Sequence, residues 1–510
     1  MAETPSARPH STNRALTRRT LVAGLVAGVA APALAAPPAV SLRPMPRPGS
    51  EASRRRLATA GQSIVDDANL GAAKVSYVVA DATTGEVLEA RSPLVQQPPA
   101  SVAKAVTALY ALETLGPDHR YKTHLRATGP VGADGRLDGD LVLAGTGDPT
   151  LQTNALADLA AQLKAAGVRE ITGKFLVWDG TLPRIDRIDP GQPDHVGYNP
   201  SVSGLNLNFN RVHFEWRRNG GGYQVTMDAR SDRYRPDVQM ARMQVVSRST
   251  PVYTYEDAGD VDVWTVASGA LGSGGARWLP VREPALYAAD VFSTFARSQG
   301  IVLGKASRAL AAPTGAVLAE VASGPLSGIV YDMLKYSTNV TAEAVGLSAS
   351  ARRGGVPETL EASALRMSGW LGETIGSPKP ALIDHSGLGD RSRLTATDMV
   401  RALVRLGPDA GLSGLLKDIP MRNRRYETVP GYPAQIAAKT GTLNFVSALS
   451  GYVAPTKGRR MAFAIFTADL DRRAAIPRAQ RERPEGGRSW ARRSRILQLR
   501  LIDRWHTLYA

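Results

Sequence analysis

The chain has 510 residues, 43% apolar and 21% charged, a globular composition too long for one ordinary core. Its formal net charge of +16 suits anionic polymers, anionic lipid headgroups or carboxylate-bearing substrates, although a solvated basic surface accounts for much of it. The absence of cysteine excludes disulfides, thiol catalysis and cysteine–zinc sites, and none of the seven histidines forms an H-E-x-x-H or close H-x-H pair, so a zinc hydrolase has little support.

In chain order, Arg8, Arg14, Arg18 and Arg19 precede an apolar run over 21–30, and Ala33, Leu34 and Ala35 form a small-x-small cleavage signal. This pattern predicts a signal peptide over 1–35, cleaved to leave an exported, periplasmic protein, with a retained N-terminal anchor helix as the other reading. Arg18 and Arg19 also fit a twin-arginine signal. Export disfavours nucleic acid as a partner. Prolines 37, 38, 44, 46 and 48 mark 36–50 as a linker.

A helix is expected over 51–67, then strands over 75–79 and 86–90 joined as a hairpin. Pro98 and Pro99 stop the chain just ahead of Ser101. Val106, Leu109, Leu112 and Leu115 then recur at helical spacing until Gly116 and Pro117. Ser101 therefore stands at a helix start, with Lys104 one turn later on the same face. Residues 118–317 carry short strands and many turns, with one helix over 155–166, and read as a mostly β insertion. Helical patterns return over 326–334 and 340–352, with Ser337, Thr338 and Asn339 on the turn between them. Strand character over 435–442, 445–453 and 460–466 follows. The chain closes on a basic helix whose Leu497, Leu501, Trp505 and Leu508 would cover a sheet face, or alternatively lie on an anionic membrane.

Three short motifs carry chemistry. A serine hydroxyl needs a base, and Lys104, desolvated in a cleft, could have a lowered pKa and take the proton of Ser101. Ser337 could relay a proton, and Asn339 could hold Lys104 and a substrate amide. Lys439 and Thr440 on an edge strand could bind a terminal carboxylate, and Gly441, which has no side chain, lets a substrate approach the backbone closely. The backbone N–H groups of Ser101 and Thr442 could form an oxyanion hole. Singly, each motif is equally a helix cap, an exposed lysine or a common turn. A Ser-His-Asp triad is weak, because no histidine stands in a recognisable partner motif and no G-x-S-x-G surrounds Ser101.

Together, in this order, the motifs resemble the penicillin-recognising serine enzymes. More closely, the chain is similar to the class C low-molecular-mass penicillin-binding proteins, the D-Ala-D-Ala carboxypeptidase/endopeptidase family. The long gap from Ser101 to Ser337 supports this. So do Gly145-Thr146-Gly147-Asp148-Pro149-Thr150-Leu151 and Asp384-His385-Ser386-Gly387-Leu388.

The resemblance implies an α/β (α+β) fold: a β-lactamase/transpeptidase-like antiparallel sheet with helices on both sides, from 51–117 and 318–510. The insertion at 118–317 would form two smaller domains. It also implies a serine D,D-peptidase acting on peptidoglycan stem peptides through an acyl-enzyme at Ser101. Such an enzyme releases D-Ala or opens D,D-cross-links, needs no metal or cofactor, and is covalently inhibited by β-lactams. An acidic residue and an aromatic from the insertion would meet the substrate side chain, for which Asp194 and Tyr198 are the candidates. Thr338 and His385 depart from the family pattern, as does the basic stretch 421–426, which puts the outer cleft in question. A β-lactamase or esterase on the same fold, and a catalytically weak protein that binds the wall, are the other readings.

Overall fold

The computed structural model describes residues 59–377 and 379–510. The expected signal peptide, the linker and the first turns of the helix expected from residue 51 lie outside the described residues. The rest of that helix is present as Gly61–Asp67.

One six-stranded antiparallel sheet joins the two ends of the chain. Its strands are β1 (Lys74–Asp81), β2 (Val87–Arg91), β3 (Lys417–Asp418), β4 (Ala434–Leu443), β5 (Val446–Pro455) and β6 (Met461–Ala468), in spatial order β3-β4-β5-β6-β1-β2. The register pairs Val78 with Ala464 and Lys439 with Ser450. Every residue of β6 is buried, because both faces of the sheet are covered and strand alternation then places apolar groups on each. Val79, Phe463 and Ile465 face a layer that contains Ile64, Trp490 and Trp505. Val78, Ala464 and Phe466 face Val106, Leu109, Met399 and Leu403.

Helix α1 (Ala103–Leu115) starts directly after a 3-10 turn over Ala100–Val102 and ends at Gly116, whose φ is 85°. Ser101 therefore sits in that tight turn, just ahead of the α-helix. Two further helices, α2 (Leu326–Tyr336) and α3 (Asn339–Gly354), meet at Ser337, which is left-handed at φ 61°. The last helix, α4 (Gly487–Tyr509), buries Leu497, Leu501, Trp505 and Leu508 against the sheet. Its apolar stripe thus has a packing role.

Between α1 and α2, a five-stranded sheet takes Lys122–Ala127, Leu141–Gly145, Phe175–Trp178, Ser307–Arg308 and Ala316–Ala322. Two three-stranded sheets and the helices Thr153–Ala165 and Pro284–Ser298 accompany it. One apolar cluster that includes Leu143, Phe175, Phe214, Trp264 and Phe292 runs through this region. The strand Ala316–Ala322 pairs with Lys122–Ala127, so the β region continues past residue 317.

Candidate active site

The site forms where the turn before α1, the α2–α3 junction and the outer part of β4 converge. Short β3 pairs with β4 only at Ala437 and Ala438. This leaves the edge from Lys439 to Leu443 unpaired on that side. Gly441 is required here for a close approach. A Cβ at that position would stand 2.8 Å from Pro99 O and 3.1 Å from Ser101 N. The missing side chain therefore lets β4 abut the turn that carries Ser101.

The Nζ of Lys104 is fully buried and donates to Ser101 Oγ at 3.0 Å, Asn339 Oδ1 at 2.7 Å and Ser386 O at 2.8 Å. Lys439, also buried, donates to Ser337 Oγ at 2.9 Å and Thr440 O at 2.8 Å. The structure thus brings together all five residues expected to do chemistry, as two lysine–serine pairs. Asn339 also donates from Nδ2 to Tyr198 O at 2.8 Å, tying the insertion to the junction.

Burial sets the electrostatics. Desolvation pushes Lys104 down to about 8, against the pull of Glu343 and Asp384 in the opposite direction. Burial, and then the charges of Lys104 and Lys417, push Lys439 well below the usual lysine range. Burial pushes Glu343 up to about 8 and Asp384 up to about 6. Neither carboxylate faces the cleft. Glu343 accepts the N–H groups of His385 and Ser386, both at 2.9 Å. Asp384 accepts those of Gly387 at 2.7 Å and Gly389 at 2.6 Å. These bonds hold the loop whose Ser386 carbonyl accepts from Lys104.

The sequence reading missed Glu343 and Ser386. The available signal for Glu343 was its position four residues after Asn339, on the same face of α3.

His385 is buried, and its Nε2 meets Ser363 Oγ at 2.8 Å. Its ring lies flush on Gly346, where a Cβ would come within 2.2 Å of it. Burial lowers its pKa to about 3, so it is neutral and stands apart from Ser101's bonding. The departure from a small residue at this position is absorbed by packing. The segment 145–151 is a turn in which Asp148 accepts from Thr150 N and Oγ1, both at 2.7 Å, and Asp148 does not line the cleft.

A cleft of about 1160 Å³ is lined by Ser101, Ser337, Asn339, Tyr198, Leu388 and Thr442 among others. Tyr198 donates to Gln192 Oε1 at 3.1 Å, and burial pushes its hydroxyl up to about 12. Asp194 lies elsewhere, 3.1 Å from Arg478 and 3.2 Å from Arg187 in ion pairs. Thr440 and Thr442 are exposed on β4. The basic stretch 421–426 does not line the cleft. Arg422 and Arg424 line a separate cavity with Arg500 and Arg504.

A serine bonded to a buried lysine, a second lysine–serine pair and an open strand edge beside them define an acyl-serine enzyme of the transpeptidase type. Comparison with known proteins agrees. The D-Ala-D-Ala carboxypeptidase 3 (S13) family matches residues 57–484. A D-alanyl-D-alanine carboxypeptidase of Actinomadura sp. is 30% identical over 435 residues, covering 79% of each chain. A carboxypeptidase DacB of Mycolicibacterium smegmatis is 28% identical, covering 81% of this chain and 80% of its own. The crystal structure of penicillin binding protein 4 from Haemophilus influenzae superposes with a TM-score of 0.70 at 20% identity, over 89% of this chain and all of its own. The chain belongs to the D-Ala-D-Ala carboxypeptidase 3 (S13) family, and is a low-molecular-mass class C penicillin-binding protein and serine D,D-peptidase.

Proposed function

We propose that Ser101 is the nucleophile and Lys104 its base. The neutral Lys104 amine takes the hydroxyl proton as Oγ adds to the carbonyl of the penultimate D-Ala of a stem peptide. The N–H groups of Ser101 and Thr442 receive the oxyanion. Collapse breaks the peptide bond, and the departing amine takes the proton that Lys104 had received, relayed through the Ser337 hydroxyl that Lys439 polarises, which leaves Lys104 neutral again. Water then opens the ester, frees the shortened peptide and returns the proton to Ser101. Lys439, Thr440 and Thr442 hold the terminal carboxylate, and Asn339 the substrate amide. A cross-linked neighbour as leaving group makes the same step an endopeptidase cut.

The observation that carries this reading is the fully buried Lys104, bonded at once to Ser101 and Asn339. The catalytic segments are those before residue 118 and after the strand Ala316–Ala322, and the insertion between them supplies the Tyr198 wall. The protein works outside the cytoplasm on the wall, after removal of residues 1–35. Among the described residues no helix is long and apolar enough to cross a membrane.

β-Lactams acylate the same serine. A penicillin binding protein 4 of this fold has been solved in complex with a β-lactam. Fluorescent penicillin should label the protein one-to-one, and Ser101→Ala should remove the label. Persistent covalent labelling of that variant would refute the assignment. Mass spectrometry of muropeptides after incubation then separates D-Ala release from opened cross-links.

The β-lactamase reading is weaker. Glu482 is the one carboxylate that lines the cleft among the described residues, and it is already held by Arg277 and His195. Among the described residues no free carboxylate lines the cleft to activate a deacylating water. The penicillin acyl-enzyme should therefore persist far longer than the peptide one, which a chase of the fluorescent label measures.

A further inference from the structure

A second cavity, of about 500 Å³, adjoins the cleft at the α2–α3 junction. Tyr198, Ser337 and Asn339 line both spaces, whereas Ser101 lines the cleft alone. The second cavity is completed by Asp332, Met333 and Tyr336 from α2 and by Phe209 and Arg211 from the insertion. Acylation of Ser101 uses none of these five side chains.

Arg211 opens the strand Arg211–Asn219, and its guanidinium lies over the rings of Phe209 at 5.2 Å and Trp278 at 5.6 Å. Its Nε is buried without a hydrogen-bond acceptor, and among the described residues no carboxylate pairs with it. A desolvated guanidinium is costly to keep unless an anion reaches it. Asp332 is the one acid that lines the cavity among the described residues, and it stands exposed on α2 with no ion pair to Arg211. One carboxylate, rather than a polyanion, suits such a space.

The Phe209 ring is fixed there by the backbone. Asn208, Phe209 and Asn210 are all left-handed, at φ 51°, 58° and 52°. Asparagine tolerates this region, but phenylalanine rarely enters it. Neighbouring side chains impose it. Asn208 Nδ2 donates to Thr153 Oγ1 at 2.8 Å, and Asn210 Nδ2 donates to Ser201 O at 2.8 Å and Asn206 Oδ1 at 2.7 Å. Strain held in place by buried bonds is typical of segments that contact a ligand.

On the proposed reaction Ser337 passes the proton to the departing amine, so whatever that amine carries stands at the boundary of the two cavities. A departing D-Ala carries one methyl and one carboxylate, and Lys439 and Thr440 already hold the carboxylate. It is too small to enter the second cavity as well. A cross-linked neighbour is itself a peptide, with a further carboxylate at its free end. We infer that the second cavity is a subsite for the leaving arm of a cross-linked substrate, in which Arg211 receives a carboxylate of that arm and Phe209 and Tyr336 flank its chain. The inference rests on the D,D-peptidase reading, and it assigns the opening of cross-links to this protein.

The test reads binding to the full chain carrying Ser101→Ala. Three synthetic D,D-peptides share one acyl side. In the first the leaving group is D-Ala, and in the others it is a peptide arm ending in carboxylate or in carboxamide. Calorimetry should give the carboxylate arm a Kd about tenfold lower than the carboxamide arm, the worth of one charge-assisted contact. With Arg211→Gln added, the two values should converge, and reading a ratio cancels general damage to the cleft. Tyr336 is 68% exposed, so Tyr336→Ala supplies a variant that leaves the core intact. It should weaken both armed peptides about threefold or more relative to the D-Ala peptide. Equal Kd values for the two arms, a ratio that survives Arg211→Gln, or armed peptides indifferent to Tyr336→Ala would each overturn the inference. If these binding results hold while the wild-type protein neither releases D-Ala nor opens cross-links, the reaction assignment fails and the subsite stands.

Discussion

Lys104 and Lys439 each meet a serine hydroxyl at about the same distance, yet their surroundings differ. Lys104 has two buried carboxylates behind it, which oppose its desolvation. Lys439 has cations as its charged neighbours, Lys104 and Lys417. With Lys104 as the proposed base, acylation requires it without its proton, and the rate should rise with pH along a limb near pH 8. Glu343, when ionised, favours the protonated lysine. Replacing it with Gln removes that charge and should move the limb toward acid by roughly one unit. A pH profile of penicillin acylation in Glu343→Gln checks this, and an unmoved limb would reduce Glu343 to a loop support. The lysines and serines were legible in the sequence because their spacing is local or carried by a motif. Glu343 was harder to read, because its partners are backbone N–H groups of residues 385 and 386 and its place one turn after Asn339 is the one local signal.

At the scale of elements, the approach of β4 to the turn around Ser101 depends on the absence of one methyl group. The sequence reading gave Gly441 a substrate-facing role. The structure adds that its open side faces Pro99 and Ser101 within the protein itself. Gly441→Ala must push the strand and the turn apart by some tenths of an ångström. Misplacement on this scale can cost about 100-fold in rate while the fold survives. Acylation kinetics set beside a thermal melt separate the two effects. A full rate with an unchanged melt would show that the contact relaxes freely. The strands of this sheet could be read from their apolar runs and turns. The order of the sheets in the insertion could not, since parallel pairs such as Leu141–Gly145 with Phe175–Trp178 are set by contacts distant in sequence. Ser337 shows the same limit. Its left-handed backbone, uncommon for serine, is imposed by the meeting of two helices.

At the scale of the molecule, the central sheet is closed by the pairing of β1 with β6, and α4 seals one face. Trp505 is fully buried, 5.6 Å from the Tyr77 ring and 6.0 Å from that of Phe463. Arg500 and Arg504 reach back to Asp67 and Glu89. Trp505→Ala should cost about 3–5 kcal/mol, the range for deleting a large buried ring. Denaturant unfolding measures it, and a loss below about 1 kcal/mol would mean that α4 docks only loosely. Acylation of the variant that remains folded should continue, because Trp505 does not line the cleft.

The β1–β6 pairing also sets a schedule. Ser101 and Lys104 emerge early during synthesis, but the strand edge at Lys439 and the covering helix arrive last. Sheets joined over such distances are slow to form. Until they close, the early segment holds Ser101 without the strand edge at Lys439, and on the proposed assignment it should not react with penicillin. Penicillin labelling should therefore report only chains whose two ends have met in the sheet.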